Sequence, residues 1–257
     1  MTIYAQVVGG LANQVFIYAA ALSLAGEGNE HHVKCDTSWL DAYGEGSGVT
    51  PRKFELELLE AHRGYPPSGL TQGVHNQMPK HYDPGQDYLL TGYFQDLKYW
   101  HPWIRDLIRS RIPCVSPTKW ENTVAIQVRR GDYANSPGTK AFHGLMGIDY
   151  FVAATKTMQA SSHVVQAAIF SDDPYWCREY LIPALPIPAR VHSSVIEYPW
   201  QDMAGMVNCD HHIISNSTFG WLGAYLADDS KRVIYPKVWF AGGTAAPPIF
   251  PPEWTSL

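Results

Sequence analysis

The chain has 257 residues, 46% of them hydrophobic and 17% charged, a folded globular composition able to bury a substantial core. Its net charge of −5 excludes the broad basic face that nucleic-acid binding usually needs, so any bound anion must be met by a few local basic residues. No window approaches about eighteen uninterrupted apolar residues, and the Ala-rich start lacks a charged flank, so neither a membrane span nor a signal peptide is expected.

Short apolar runs alternate with longer amphipathic ones, which predicts strands and helices in turn. Residues 3–8 read as a strand, 9–13 as a tight loop, 14–25 as a helix closed by Gly26, and 32–35 as a second strand. Residues 41–51 are a Gly-rich loop. Residues 52–62 fit a helix, although their Glu/Leu alternation also fits a strand, and the turn-rich stretch 65–86 has no assignment. A strand over 88–93 and a helix over 99–111 follow. The prolines bracketing 113–117 make the best boundary, dividing the chain into domains 1–115 and 116–257.

Beyond that boundary the rhythm is cleaner, with strands predicted over 124–128, 167–170, 191–193, 213–214 and 233–234. Helices are predicted over 149–161, 175–181, 201–207 and 218–226, the second of them capped by Asp173 before Pro174. The second half is thus an open α/β sheet and the first half a smaller one of the same kind.

In such sheets ligands bind beyond the carboxyl ends of the strands. Arg129, Arg130 and Asp132 follow one strand there, Ser171, Asp172 and Asp173 the next, and Ser215, Asn216, Ser217 and Thr218 a later one. Paired guanidinium forks match phosphate oxygens, a Ser/Thr-rich helix start offers amides to an anion, and a carboxylate accepts from a purine edge or ribose hydroxyls. Together they describe a seat for a nucleoside diphosphate. Each also has an ordinary structural explanation: a surface ion pair for the arginines, a helix cap for Asp173, and a capping sequence for 215–218. The Gly9-Gly10 loop lacks GxGxxG spacing, and a tight strand-to-helix turn accounts for it.

Cys35, Cys114, Cys177 and Cys209 are scattered with no CxxC pair, which predicts reduced structural thiols in a cytoplasmic protein. His31-His32 and His211-His212 lack further ligands at zinc spacing and read as hydrogen-bonded strand residues. Trp39, Trp100, Trp103 and Trp120 read as packing residues rather than sugar platforms.

The motifs in combination resemble one family. Gly9-Gly10-Leu11-Ala12-Asn13-Gln14-Val15-Phe16-Ile17-Tyr18-Ala19, Gly92-Tyr93-Phe94-Gln95 with Lys98-Tyr99, and Val128-Arg129-Arg130-Gly131-Asp132-Tyr133 occur in the order of the bacterial α-1,2-fucosyltransferases. His143-Gly144-Leu145 with Asp149-Tyr150, Phe170-Ser171-Asp172-Asp173 with Trp176-Cys177, and Ser215 through Ala224 continue the likeness.

The resemblance implies a GT-B fold, two Rossmann-like domains facing across a cleft, with the acceptor side in the first. It implies L-fucose transfer from GDP-fucose to the 2-hydroxyl of a terminal β-galactoside, by inversion, with neither cofactor nor metal. The implied acceptor is a galactose-terminated oligosaccharide, free or lipid-linked, and the implied location is cytoplasmic or peripheral at the inner membrane. Arg129 would be the main β-phosphate contact and Arg130 its support. Asp172 or Asp173 would meet the guanosine portion, Ser217 and Thr218 the diphosphate, and Asn13 the cleft.

Asp132, His143 and Asp149 are candidates for the general base, and a dissociative path needs no strong one. The family's usual His is Gln127 here, which loosens the guanine assignment and leaves room for another GDP-linked deoxysugar. Ala12 replaces a glycine, and the first half is compressed. A nucleotide- or carbohydrate-binding protein of the same fold is the non-enzyme alternative.

Overall fold

The computed structural model describes residues 1–43, 50–70, 73–75, 83–113, 119–192, 198–227 and 231–257. They form two compact units, Met1–Arg111 with Pro247–Ile249, and Ile112–Ala246 with Phe250–Leu257. Both are α/β, as the alternating pattern predicts.

The first unit opens with β1 (Ile3–Gln6), α1 (Leu11–Ala25), a 3-10 turn at Glu30–His32, β2 (Val33–Asp36) and α2 (Ser38–Ala42). After a 3-10 turn at Glu57–Leu59 come β3 (Gly73–His75), β4 (Tyr88–Thr91), a 3-10 turn at Leu97–Tyr99, and α3 (Pro102–Ser110). Among the described residues the strands form one parallel sheet in the order β2-β1-β4-β3.

Helix α1 is buried on nearly every side, which explains a sequence that is apolar all round and rich in small residues. It ends at Gly26, whose φ of +82° suits glycine and whose amide returns to the Leu22 carbonyl. It begins at Leu11, earlier than predicted, so Ala12 sits inside the helix and only Gly9-Gly10 form the turn. The Cβ of Ala12 therefore meets no loop constraint.

Residues 52–62 form neither the predicted helix nor a strand. Fully buried Gln14 donates to the carbonyls of Gly9 (2.9 Å) and Lys53 (2.8 Å) and accepts from the Glu55 amide (3.0 Å). The backbone there bonds to a side chain instead of a ladder.

The second unit runs β5 (Trp120–Val128), α4 (Gly131–Asn135), α5 (Pro137–His143), α6 (Ile148–Ser161) and β6 (Gln166–Ser171). It continues with α7 (Pro174–Trp176), β7 (Ala189–Val191), α8 (Pro199–Asn208), β8 (Cys209–Ile214), α9 (Thr218–Tyr225), β9 (Val233–Tyr235) and β10 (Thr255–Ser256). Among the described residues its sheet is parallel throughout, in the order β10-β9-β8-β5-β6-β7.

Central β5 is buried on both faces from Thr123 to Val128, the continuous apolar run of an inner parallel strand. The predicted helix at 175–181 starts as foreseen, with Asp173 accepting from the Trp176 amide at 3.0 Å, but widens into a π turn over Cys177–Leu181. The short α4 and α5 carry too few periodic residues to have been read from sequence. Strand β10 is recognisable only by its pairing, and Phe250 stacked on Tyr235 at 3.9 Å helps hold the tail to the sheet.

Cys35, Cys177 and Cys209 are buried and unpaired, and burial pushes their thiols up to about 12, 11 and 12. Cys114 and most of the predicted boundary lie outside the described residues. Trp100 packs edge-on to Phe16 at 5.4 Å, and Trp120 stacks on Phe170. Among the described residues no helix is long and apolar enough to cross a membrane.

His31 and His32 lie on the 3-10 turn, not on a strand as predicted. His211 and His212 do lie on β8, where His211 Nδ1 accepts from the Arg232 amide and His212 Nε2 meets the Met206 carbonyl at 2.9 Å. Burial lowers the His212 pKa to about 3. Between pH 6.5 and 3 the unfolded chain protonates this ring while the native chain does not, so native stability falls as pH falls. The expected contribution is at most ~1.4 kcal/mol per pH unit. Urea titrations from pH 7 to 4 should show it, with a shallower slope for His212→Gln.

Candidate active site

The order of the second sheet locates the site. From β5 the chain builds outward through β6 and β7, then returns to the other side of β5 as β8. The β5/β8 edge is thus the topological switch point, where open parallel sheets bind ligands. The Arg129-Arg130 pair leaves β5 there, and residues 215–217 leave β8.

A buried relay joins the two strand ends. Ser215 donates to Gln127 Oε1 at 2.6 Å and accepts from the Arg129 amide at 3.1 Å. Gln127 and Ser215 are 4% and 0% exposed, so Gln127 spends its carbonyl holding the arginine turn.

Three carboxylates grip the guanidinium groups. Arg129 pairs with Asp132 through Nη2 and with Asp172 through Nη1, both at 2.7 Å. Asp172 also accepts from the Arg130 amide at 2.8 Å. Arg130 pairs with Asp173 at 3.1 Å, and its guanidinium carbon lies 3.9 Å from the centre of the Trp176 ring. All five charged side chains are partly buried, so the pairs are better shielded than surface ones. The site is prearranged, with both arginines held in place by the protein itself.

The carboxylates that the resemblance implies for the guanosine portion, Asp172 and Asp173, are thus turned onto the arginine turn, and Asp173 additionally caps α7. Gly131 makes the fit possible: a Cβ there would lie 2.5 Å from Asp172 Oδ2.

Ser217 is the N-cap residue of α9 but makes no side-chain hydrogen bond to its first turn, and Thr218 is the first helical residue. Helix α9 therefore directs its positive end toward the same strand edge. Asn216 is buried and donates to the His143 carbonyl at 2.7 Å and the Trp239 carbonyl at 3.1 Å, tying the end of α5 to the β8–α9 loop.

His143 stacks on Tyr133 with ring centres 4.3 Å apart, and among the described residues its buried Nδ1 has no hydrogen-bond partner. Burial lowers its pKa, Asp132 partly offsets this, and Arg129 adds to it, which favours the neutral ring. Asp149 lies in the first turn of α6 behind N-cap Gly147, a helix-start position.

Arg129, Arg130, Asp132, Asp172 and Asp173 therefore converge, with Gln127 beneath them and Ser217, Thr218 and His143 on the neighbouring loops. Asn13 belongs to the other unit, where it accepts from Gln95 at 3.2 Å. Gly131 and Trp176 are not among the polar residues read as a site, and Ser215 and Asn216 enter it only as members of the third cluster, with no role of their own. All four sit inside the quoted motifs, but a motif does not say which of its members point inward. Among the described residues no cluster of three His, Cys, Asp or Glu is arranged to hold a metal ion.

This fold and site define an α/β protein with two carboxylate-held arginines at the switch point of its second sheet. The sequence model of glycosyl transferase family 11 matches residues 78–257, and the chain belongs to that family. It is 37% identical over 122 residues to the O-antigen biosynthesis glycosyltransferase WbnK of Escherichia coli, a match covering 47% of this chain and 40% of that protein. It is 32% identical to an alpha-1,2-colitosyltransferase of Escherichia coli, over 46% of this chain and 41% of that protein. A galactoside 2-alpha-L-fucosyltransferase, SEC1 of Bos taurus, is 31% identical over 51% of this chain and 35% of its own. The chain thus spans less than half the length of each of these curated relatives. A solved structure of POFUT1 in complex with GDP aligns over 90% of this chain and 96% of that one, at 12% identity and a TM-score of 0.45.

Proposed function

We propose that the chain transfers L-fucose from GDP-fucose to the 2-hydroxyl of a terminal β-galactoside, with inversion and without a metal ion. The observation that carries this reading is the arginine pair fixed at the β5/β8 switch point of a family 11 chain. The name of the bovine relative supports the sugar, and the names of the bovine and colitosyltransferase relatives support the linkage.

In the reaction the bond from fucose C1 to the β-phosphate oxygen breaks, and its electron pair stays on the phosphate. The acceptor oxygen bonds to C1 from the opposite face and gives up its proton. Arg129 and Arg130 meet the charge growing on the leaving diphosphate, the role a divalent ion would otherwise serve. The first turn of α9, with Ser217 and Thr218, adds backbone dipoles on the same side. Asp132 is committed to Arg129 and orients it.

His143 is the better base, because its lowered pKa keeps the ring neutral to more acidic pH. The acid limb of the kcat profile is therefore expected below pH 6.5, and His143→Gln should remove that limb while lowering kcat. An unchanged profile in the variant would take the role from His143.

A second reading, transfer of another GDP-linked deoxysugar, is favoured by the colitosyltransferase relative. Either reaction would run in the cytoplasm, on a soluble or lipid-linked glycan at the inner membrane, an assignment supported by unpaired buried thiols. Thermal shifts with GDP, UDP and ADP test the donor class. Stabilisation by GDP alone fits either sugar, and an equal response to all three would sink both.

A further inference from the structure

Gly220 has no part in the site as described above, yet it stands directly against that site's buried relay. It is the third residue of α9, it is buried, and its φ lies outside the left-handed region. The backbone therefore does not call for glycine there, and alanine is the better helix former. Space calls for it instead. A Cβ on Gly220 would lie 2.6 Å from Gln127 Oε1, 3.2 Å from Gln127 Cδ and 3.0 Å from Ile214 Cβ.

Gln127 Oε1 is the last acceptor in a chain of bonds that begins at Arg129. The Ser215 amide donates to the Gln127 carbonyl at 3.1 Å, and the pairing of Gln127 with Ile214 sets the two strand ends in register. The Ser215 hydroxyl then donates to Gln127 Oε1, and the Arg129 amide donates to that same hydroxyl. This chain runs in one direction only, because a backbone N–H cannot accept and an amide oxygen cannot donate. Gln127 and Ser215 are both buried, so moving the Gln127 amide oxygen strands the Ser215 proton and loosens the turn that aims Arg129.

The crowded atom is the far end of a flexible side chain, and Ile214 need yield only a few tenths of an ångström. The fold can therefore accept a methyl group at position 220, whereas the relay cannot keep its geometry beside one. That difference separates a positioning role from a packing role.

We infer that Gly220 is a positioning residue for Arg129: it clears the slot in which Gln127 holds Ser215, and through Ser215 it fixes the arginine turn. The consequence for a leaving diphosphate rests on the transfer reading. The coupling of residues 220, 127 and 215 to the Arg129 amide rests on the geometry alone.

The test takes Gly220→Ala, Gln127→Ala and the double variant of the full chain through amide hydrogen exchange by NMR, calorimetry with GDP, and steady-state kinetics. Gly220→Ala should melt within about 4 °C of wild type. It should nevertheless speed exchange at the Arg129 amide at least about tenfold and weaken GDP roughly fivefold to twentyfold. The kcat should fall with it while the KM for lactose holds. Gln127→Ala should behave alike, and adding Gly220→Ala to it should cost no more than about twofold further, because both changes break one bond. Additive effects on exchange and on GDP affinity would overturn the inference, as would wild-type exchange in Gly220→Ala. Faster exchange with undiminished GDP affinity, in a chain that binds GDP, would overturn it too. If the wild-type chain ignores GDP, the donor reading fails, and non-additive exchange rates would still uphold the relay.

Discussion

Arg129→Ala is expected to lower kcat by ~10²–10³, the usual cost of removing one preorganised group from a developing charge. The substitution also strands Asp132 and Asp172, each of which is paired with Arg129 at 2.7 Å in the native site. Two carboxylates left facing the leaving diphosphate add repulsion to the loss of the cation. Arg129→Lys keeps a charge but cannot reach both carboxylates with a planar fork, so it should fall between wild type and alanine. Single-turnover rates with saturating donor separate this effect from weaker binding. A thermal melt of each variant shows whether the fold survives. Native kcat in a folded Arg129→Ala would remove Arg129 from the reaction.

The second large effect is expected at Gly131. Its φ lies outside the left-handed region, so alanine is not excluded by the backbone, and as a helix former alanine would ordinarily help there. The added Cβ, however, would sit 2.5 Å from Asp172 Oδ2 and 3.1 Å from its Cγ. Asp172 is short and held by both Arg129 and the Arg130 amide, so it cannot move without loosening the arginine turn. Overpacking of this kind costs about 1–3 kcal/mol, and here it falls on the anion site. GDP affinity should drop roughly tenfold to hundredfold in Gly131→Ala. The cost should shrink in an Asp172→Ala background, because the clashing partner is gone, and a double-mutant cycle reads that coupling directly. Additive effects would mean that the contact is not what Gly131 protects.

Much of this arrangement was legible in the sequence, for particular reasons. Strands β5, β6 and β8 are short apolar runs followed at once by polar residues, and a parallel sheet turns that pattern into a site at one edge. The arginine pair, the two aspartates after β6 and the Ser/Thr start of α9 could be read because each follows a strand. The Asp173 cap before Pro174 could be read, but the grip of both aspartates on the arginine turn could not, because Asp172 and Asp173 reach Arg129 and Arg130 across more than forty residues of sequence. Gln127 looked like a substituted base contact, but its carbonyl serves Ser215, 88 residues away.

The N-terminal unit was harder because, among the described residues, the stretch 50–70 carries no helix or strand beyond a 3-10 turn. Residues 52–62 alternate Glu and Leu, yet Gln14 takes the backbone bonds that a strand or helix would have used. His31 and His32 end on a 3-10 turn, where the His32 amide donates to the Asn29 carbonyl and β2 begins only at Val33. Local pattern fails where a buried side chain far away in sequence claims the backbone.

The most direct test of the central claim is transfer from GDP-fucose to lactose in the presence of EDTA, with the product read by mass spectrometry and NMR. The account predicts a fucosylated lactose with the new bond at the galactose 2-oxygen and inverted configuration at fucose C1, formed at an undiminished rate in EDTA. A rate abolished by EDTA and restored by a divalent cation would contradict the role given to the arginine pair, and a product with retained configuration would contradict the displacement itself.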